Sequence, residues 1–423
     1  MAIFRPFKAV RPTPELAKDV AALPYDVMNS EEAREMVKGN PVSFLHIDRA
    51  EIDLPEGTDP YSAQVYQKAA ETMNARIADG TYITDDEPCY YIYRLTMNGR
   101  SQAGIVGCAS IDDYMNGTIK KHELTVEAKE QDRIRHVDAL DANTGIIFLT
   151  FRGSETIENA MKTIMAHETP IYDFTEEDGI RHEVWKVDAS RDEELQEAFA
   201  DVPCLYIADG HHRAASAVKV GMKRRKEAGT WTGDEEFNFF LAAAFPSSEL
   251  AIWDYNRYVH DLNGLSEHEF LDRIGTYFDV KKFDAQPDGS SEEALAAVKP
   301  GKKHTFSMYM DGTWYGLTAK PEAYDEADVV SQLDVTILQN RLLAPVLGIG
   351  DPRTDGRISF VGGIRGLAEL VRLTDKGGGA AFAMYPTTLD DLMRIADEGK
   401  IMPPKSTWFE PKLRSGLLIH RLG

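Results

Sequence analysis

The pattern of apolar and polar positions predicts alternating strands and helices along most of the chain. Residues 204–208 form an apolar run that predicts a short buried strand, and Asp209 and Gly210 after it are typical of a turn. From Ala214 onward, apolar residues recur at helical spacing. The sequence therefore predicts a strand–turn–helix unit at this point.

Apolar runs that are separated by turn residues predict antiparallel pairing elsewhere. Hairpin turns are expected at Asn98–Gly99, Asn116–Gly117 and Asp311–Gly312. The runs 237–245 and 250–259 are expected to form a further hairpin, and an apolar helix is expected over about 329–347. Together these patterns predict an α/β (α+β) fold with a mixed or antiparallel sheet and a second α/β lobe.

Composition and charge indicate which partners and which location are expected for the protein. The chain has 423 residues, of which 43% are hydrophobic, and its formal net charge is −22. This charge disfavours nucleic acid as a partner, because binding to nucleic acid depends on surplus Lys and Arg. There is no apolar run long enough to span a membrane and no signal-peptide pattern at residues 1–7, so we expect no membrane partner and a cytoplasmic location. The three cysteines are far apart and are interpreted as buried apolar residues.

The predicted helix after residue 210 begins with an unusual concentration of cationic groups. His211, His212 and Arg213 follow the turn directly. A helix N-terminus carries a partial positive charge, which disfavours cations unless an anion lies between them and the free backbone N–H groups. The pattern favours a phosphate site with Asp209 at its edge, although pairing of Arg213 with Asp209 is the structural alternative.

Two further segments carry candidate chemistry. Residues 120–125 contain Lys120, Lys121, His122, Glu123 and Thr125 at a predicted strand end, where a carboxylate base beside cations suits phosphate chemistry. A solvated charged helix with a capping threonine is the alternative interpretation of this segment.

The second segment is a proline-stiffened stretch, 402–414. Its cations Lys405, Lys412 and Arg414 stand out in an acidic chain. We expect the segment to fold back over the same cleft, or to serve only as a strap that packs its aromatic residues on the body of the protein.

Four motifs together resemble a large bacterial family, the domain of unknown function DUF1015. They are residues 23–27 (LPYDV), 119–125 (IKKHELT), 208–213 (ADGHHR) and 402–413. The 209–213 core is also similar to the nucleotide-binding motif of the ParB/sulfiredoxin superfamily, which includes kinases of free L-serine.

The resemblance implies a nucleotide-dependent small-molecule kinase, with ATP or ADP as donor, Mg²⁺ as cofactor and free L-serine as an acceptor. It implies a ParB/sulfiredoxin-like catalytic core over 1–262, with an N-terminal helical extension, and a C-terminal α/β lobe over 263–423. The catalytic residues that it implies are Glu123, Asp209, His211 and His212, with Glu123 as the base and Asp209 also as the metal ligand. The nucleotide-binding residues implied by the motifs and nearby cations are Gly210, His211, His212, Arg213, Lys121, His122 and Lys405.

Two other functions remain open from the sequence. One is a nucleotide-binding switch or slow NTPase without a small-molecule acceptor. The other is a non-enzymatic metabolic accessory protein, in which the 209–213 motif serves only the structure.

Overall fold

A computed structural model describes residues 1–289 and 291–423. The contacts divide the chain into two units, the first formed by 1–250 with 411–423 and the second by 251–410. The sequence suggested a single boundary near residue 262, whereas the chain passes from one unit to the other after Leu250 and returns after Glu410. The reason is visible in strand pairing, because the last strand of the chain joins a sheet of the first unit.

The first unit contains thirteen strands and nine α-helices among the described residues. The strands are β1 Phe4–Arg5, β2 Ala9–Pro12, β3 Tyr82–Thr84, β4 Tyr91–Met97, β5 Arg100–Ser110, β6 Ile119–Lys120, β7 Ala142–Asn143, β8 Ile147–Phe151, β9 Tyr172–Thr175, β10 Arg181–Lys186, β11 Leu205–Asp209, β12 Phe239–Pro246 and, at the end of the chain, β19 Ile419–Arg421. The helices are α1 Ala17–Val20, α2 Ser30–Met36, α3 Leu45–Asp48, α4 Ala63–Ala78, α5 Ile111–Asn116, α6 Glu127–Leu140, α7 Glu155–His167, α8 Asp192–Ala200 and α9 His211–Ala228.

A nine-stranded mixed sheet forms the centre of this unit. Its order is β6-β11-β8-β12-β5-β4-β10-β9, with β1 paired to β5. The pairs β6–β11 and β8–β12 are parallel, and the other pairs are antiparallel. A second sheet has the order β3-β2-β19-β7. The mixed sheet with helices confirms the predicted α/β class.

The second unit has an antiparallel sheet of six strands. In chain order these are β13 Tyr255–Val259, β14 Phe278–Lys282, β15 Thr305–Met310, β16 Thr313–Ala319, β17 Ile358–Gly362 and β18 Ala380–Met384, and they pair in the order β14-β16-β15-β18-β13-β17. Its helices are α10 Glu267–Ile274, α11 Glu292–Leu295, α12 Asp334–Leu338, α13 Gly366–Gly377 and α14 Leu389–Asp397. Leu370, Phe382 and Trp314 are among its fully buried core residues.

Three predicted elements are wrong in type or extent. The residues before Gly117 form helix α5 and not a hairpin arm, because Ser110 accepts a hydrogen bond from the Asp112 N–H and Gly117 ends the helix at a φ of 85°. Strands β12 and β13 do not pair with each other, since β12 lies between β5 and β8 while β13 belongs to the second unit. The long helix expected over 329–347 is short, because α12 passes into a π-helical turn over Gln339–Leu343.

The hairpin turns at Asn98–Gly99 and Asp311–Gly312 are confirmed, with β4–β5 and β15–β16 paired across them. Among the residues that the structure describes, no helix is both long and apolar enough to span a bilayer.

Candidate functional site

The predicted strand–turn–helix unit is present as β11, Gly210 and α9. Four of the five β11 residues are buried, and Asp209 is the partly exposed last one. Gly210 has a φ of 93°, and a Cβ there would lie 3.0 Å from the Arg213 Nε, so both the backbone and the space require glycine. Within the described part of the chain, no side chain caps the N-terminus of α9. The turn therefore leaves the first backbone N–H groups of an 18-residue helix without a side-chain acceptor.

Arg213 is folded back onto this turn. Its Nη2 donates to the Asp209 Oδ2 at 2.7 Å, and its Nη1 donates to the Ile146 carbonyl at 2.5 Å. Its Cδ lies 3.0 Å from where a Cβ on Gly145 would be. Arg213 thus ties the turn to the residues before β8, which is the structural alternative that the sequence left open.

Asp209 is held between two cations. Its Oδ1 accepts a hydrogen bond from the Lys412 Nζ at 3.3 Å, and its Oδ2 accepts one from Arg213. Burial opposes ionisation, but Lys412 and Arg213 outweigh it and lower the pKa of Asp209 to about 2. Because both carboxylate oxygens are engaged by cations, this donor set does not fit the Mg²⁺ ligand role that the resemblance implied.

His122, Glu123 and His211 form a cluster beside the turn. The strands β6 and β11 are parallel, so the segment after Lys120 and the turn after Asp209 leave the same edge of the sheet. The His122 and His211 ring centroids are 4.5 Å apart and nearly perpendicular, and the His211 Nδ1 lies 3.8 Å from the Glu123 Oε2. The structure therefore brings the 120–125 segment next to the turn, as expected.

The two histidines of this cluster are buried and neutral near pH 7. His122 is 2% exposed and His211 is 5% exposed. Burial lowers the pKa of His122 to about 4, although the charge of Asp209 opposes the shift. Burial, together with repulsion from His122, lowers the pKa of His211 well below its usual value.

His212 links α9 to the segment before α6. Its Nε2 accepts a hydrogen bond from the Val126 N–H at 3.0 Å. Burial and the charge of Lys129 lower the pKa of His212, so the neutral ring that this bond requires is favoured. One turn further along α9, the Ser216 Oγ lies 2.7 Å from the His212 carbonyl oxygen and 3.1 Å from the Glu130 carbonyl oxygen, and these two acceptors share its one proton. The first turn of α9 is therefore fixed against α6.

A polar cavity of about 240 Å³ lies beside α6 in the same unit. Its lining includes the motif residues Tyr25 and Asp26 and the cations Lys129 and Arg133. The Arg133 guanidinium lies 3.9 Å from the Tyr25 ring centroid, and Arg133 also bonds to Asp132 at 2.8 Å. A smaller adjoining pocket shares Tyr25 and Arg133 with this cavity and is also lined by Arg213 and Gly145.

The sequence did not predict these lining residues as site residues. The 23–27 motif was the signal that could have found them, because it supplies Tyr25 and Asp26 to the cavity wall.

The other predicted cations have different surroundings. The Lys121 Nζ lies 4.3 Å from the Tyr114 ring centroid. Lys405 belongs to the second unit, where its Nζ is 5.7 Å from the Tyr255 ring centroid and its carbonyl accepts a bond from Arg257. Of the cations in the 402–414 segment, it is Lys412 that contacts Asp209.

A family model described as "Protein of unknown function (DUF1015)" matches residues 4–336. The chain belongs to this family. No curated protein matches the sequence of this family member.

Solved structures with a remotely similar fold include a free serine kinase variant in complex with AMP, at 13% identity and a TM-score of 0.36 over 73% of this chain and 90% of that one. A variant of free serine kinase in complex with ADP gives 14% identity and a TM-score of 0.35 over 73% and 90%. SbnI with a C-terminal truncation, from Staphylococcus aureus, gives 10% identity and a TM-score of 0.34 over 74% and 87%.

Proposed function

We propose that this protein binds ATP or ADP at the turn between β11 and α9 and transfers a phosphoryl group to a small hydroxyl compound. The observation that carries the proposal is the N-terminus of α9. It is a long helix that follows a glycine with a φ of 93°, and among residues 1–289 and 291–423 its first turn has no side-chain cap. Such an end binds phosphate through backbone N–H groups and the helix dipole.

The residues around the turn bind the phosphate and hold the turn in place. The backbone N–H groups of residues 211–213 bind the phosphate, and Lys121 adds a positive charge at the same edge of the sheet. Arg213 and Lys412 act indirectly, since they hold Asp209 and fix the turn. Mg²⁺ enters this proposal only as the usual partner of the nucleotide phosphates, and no step depends on Asp209 binding it.

Glu123 is the proposed base, because its side chain is 46% exposed and lies beside His211. In the transfer, the acceptor oxygen forms a bond to the terminal phosphorus and the bond from that phosphorus to the nucleotide oxygen breaks. The acceptor proton passes to the Glu123 carboxylate. The nucleotide leaves with one phosphate fewer, as ADP from ATP or as AMP from ADP.

The polar cavity beside α6 is the proposed acceptor site. Its wall carries both signs of charge, with carboxylates at Asp26 and Glu51 and cations at Arg49, Lys129 and Arg133. An amino acid such as free L-serine carries an ammonium and a carboxylate, which this arrangement complements. The cavity volume of about 240 Å³ also suits a molecule of that size and not a macromolecule.

Calorimetry with ATP, ADP and AMP tests nucleotide binding, with a pair of glycine variants as the matched comparison. Gly210→Ala should weaken binding at least about tenfold, because the new Cβ strains the backbone and meets Arg213. Gly229→Ala at the other end of α9 introduces the same kind of strain at a φ of 73° with no atoms within 4 Å of the new Cβ, and it should keep the affinity. Equal affinity in the two variants would contradict the location of the site.

Product analysis by phosphorus NMR, with L-serine present and absent, separates the three functions. Phosphoserine together with the shortened nucleotide supports the kinase. Binding with slow hydrolysis and no phosphorylated acceptor supports a nucleotide switch instead. Failure of every nucleotide to bind or to stabilise the protein, where a ligand at about 100 times its Kd would add about 2.7 kcal/mol, refutes the proposal and leaves the accessory role.

A further inference from the structure

The His122–Glu123–His211 cluster has ring nitrogens that the protein leaves unused. Among the described residues the His211 Nε2 has no hydrogen-bond partner, and neither ring nitrogen of the buried His122 has one of good geometry, although the Ile207 backbone is near enough to raise the pKa of His122. Buried polar atoms are nearly always hydrogen-bonded, since leaving one unpaired costs about 1–3 kcal/mol. Such atoms on two touching imidazoles require an explanation.

A bound cation would take one ring nitrogen from each histidine and so accounts for two of these atoms. One ligand atom from each of the three residues lies within 4.8 Å of the other two. Zinc-type ions bind imidazole and carboxylate ligands at about 2.0–2.2 Å, so binding of one ion draws the three side chains closer together, and the half-exposed Glu123 has the most room to move. An imidazole binds a metal through the lone pair of a ring nitrogen, and the carboxylate of Asp209 adds negative charge that acts on both rings, against the positive charge of Lys121.

We propose that His122, Glu123 and His211 bind a divalent transition-metal ion, of which Zn²⁺ is the representative. Two imidazoles and one carboxylate are the ligands of zinc-type and ferrous sites, whereas Mg²⁺ prefers oxygen ligands. Three protein ligands leave at least one coordination position for water or for a phosphate oxygen. This inference deepens the proposed function, but only the role of the metal in phosphoryl transfer depends on that function, and metal binding itself does not.

Two roles for Glu123 are compatible in this arrangement. A carboxylate that binds the metal through one oxygen keeps its second oxygen for the hydroxyl proton. His122 takes no part in the proposed proton transfer, so its substitution tests the metal site separately from the base.

Cobalt binding provides the test. The full-length protein, freed of metal with a chelator, is titrated with Co²⁺ and followed by visible absorption, and Zn²⁺ and Mg²⁺ are then added as competitors. We expect about one Co²⁺ per chain, displacement by Zn²⁺ and no displacement by excess Mg²⁺. His122→Gln and Glu123→Gln should each weaken binding about 10- to 100-fold.

His46→Gln is the matched control. His46 also pairs with a carboxylate in the first unit, with its Nδ1 2.8 Å from the Asp53 Oδ1, and this variant should bind Co²⁺ as the wild type does. Circular dichroism checks that the buried His122 variant folds, and Glu123→Gln serves if it does not. No Co²⁺ binding by the wild type, unchanged binding in the cluster variants, or loss of binding in His46→Gln would each overturn the inference.

The same samples separate this inference from the proposed function. Nucleotide affinity is measured on the metal-free and the metal-loaded protein. Nucleotide binding without any metal binding leaves the proposed function standing and removes the metal site. Metal binding at the cluster without nucleotide binding leaves the metal site standing and removes the proposed function.

Discussion

Asp209 is the carboxylate of the turn that pairs with two cations, Arg213 and Lys412. The side chains of Arg213 and Lys412 are 11% and 14% exposed, so each has lost most of its water, and Asp209 is an anionic partner of both. Removing one partner of a largely buried ion pair costs more than the pair contributes, because it leaves an uncompensated charge. Here a single substitution would remove an anionic partner from two cations.

Asp209→Asn should therefore lower the free energy of unfolding by about 2–3 kcal/mol, measured by urea denaturation. Asp173→Asn is the comparison, since Asp173 pairs with Arg181 at 2.7 Å but both side chains are more than 40% exposed. The pair of Asp173 with Arg181 should contribute about 0–1 kcal/mol to the free energy of unfolding. Equal losses in the two variants would show that the turn does not depend on Asp209 as the ion pairs indicate.

At the residue scale the sequence predicted the strand–turn–helix unit but did not predict the direction of the Arg213 side chain. The strand–Asp–Gly–helix pattern is local, so the turn and the position of Gly210 were predictable. The direction of the Arg213 side chain was not, because it depends on the Ile146 carbonyl, which comes from a distant part of the chain. The partnership of Lys412 with Asp209 is equally long-range.

At the scale of elements, the residues of the candidate site come together because β6 and β11 are parallel neighbours and α6 lies against α9. The sequence placed the 120–125 segment at a strand end, and the structure supplies the pairing of Ile119 with Leu205 that brings it to the turn. No local pattern encodes that pairing. The same limit explains why the apolar runs on either side of residue 250 were paired with each other, although they belong to different sheets.

The hydrogen bond from the Val126 N–H to His212 connects two of these elements across 86 residues. His212→Ala should leave that N–H without its acceptor and cost about 1 kcal/mol locally. Hydrogen exchange measured by mass spectrometry should then accelerate in peptides covering 121–130. Peptides from α7, in the same unit, serve as the internal control. Unchanged exchange over 121–130 would show that the bond does not hold the segment in place.

For the whole molecule, buried histidines couple stability to pH. Burial lowers the pKa of His122 and of His136 to about 4 and that of His182 to about 3. Unfolded histidines titrate near 6.5. Below about pH 6.5 these histidines bind protons in the unfolded chain but stay neutral in the native chain. The stabilisation that the neutral histidines contribute to the folded state is therefore complete above about pH 6.5 and is lost as the pH falls toward 4. The net charge of −22 acts in the opposite direction, because acid reduces self-repulsion.

A histidine variant separates these two effects, because it changes one titrating group and leaves the remaining charges in place. His182 is fully buried, and its Nδ1 lies 2.8 Å from the Tyr93 hydroxyl, so His182→Gln should be less stable than the wild type at about pH 8. Between about pH 6.5 and 5.5 the free energy of unfolding of His182→Gln should fall by about 1 kcal/mol less than that of the wild type. The reason is that the variant lacks one group that takes up a proton only when the chain unfolds. His167→Gln, at an exposed position at the end of α7, should keep the wild-type pH dependence. Urea denaturation at several pH values gives the pH dependence of the free energy of unfolding for the wild type and the two variants. If His182→Gln has the same pH dependence as the wild type, His182 is not held neutral by the fold.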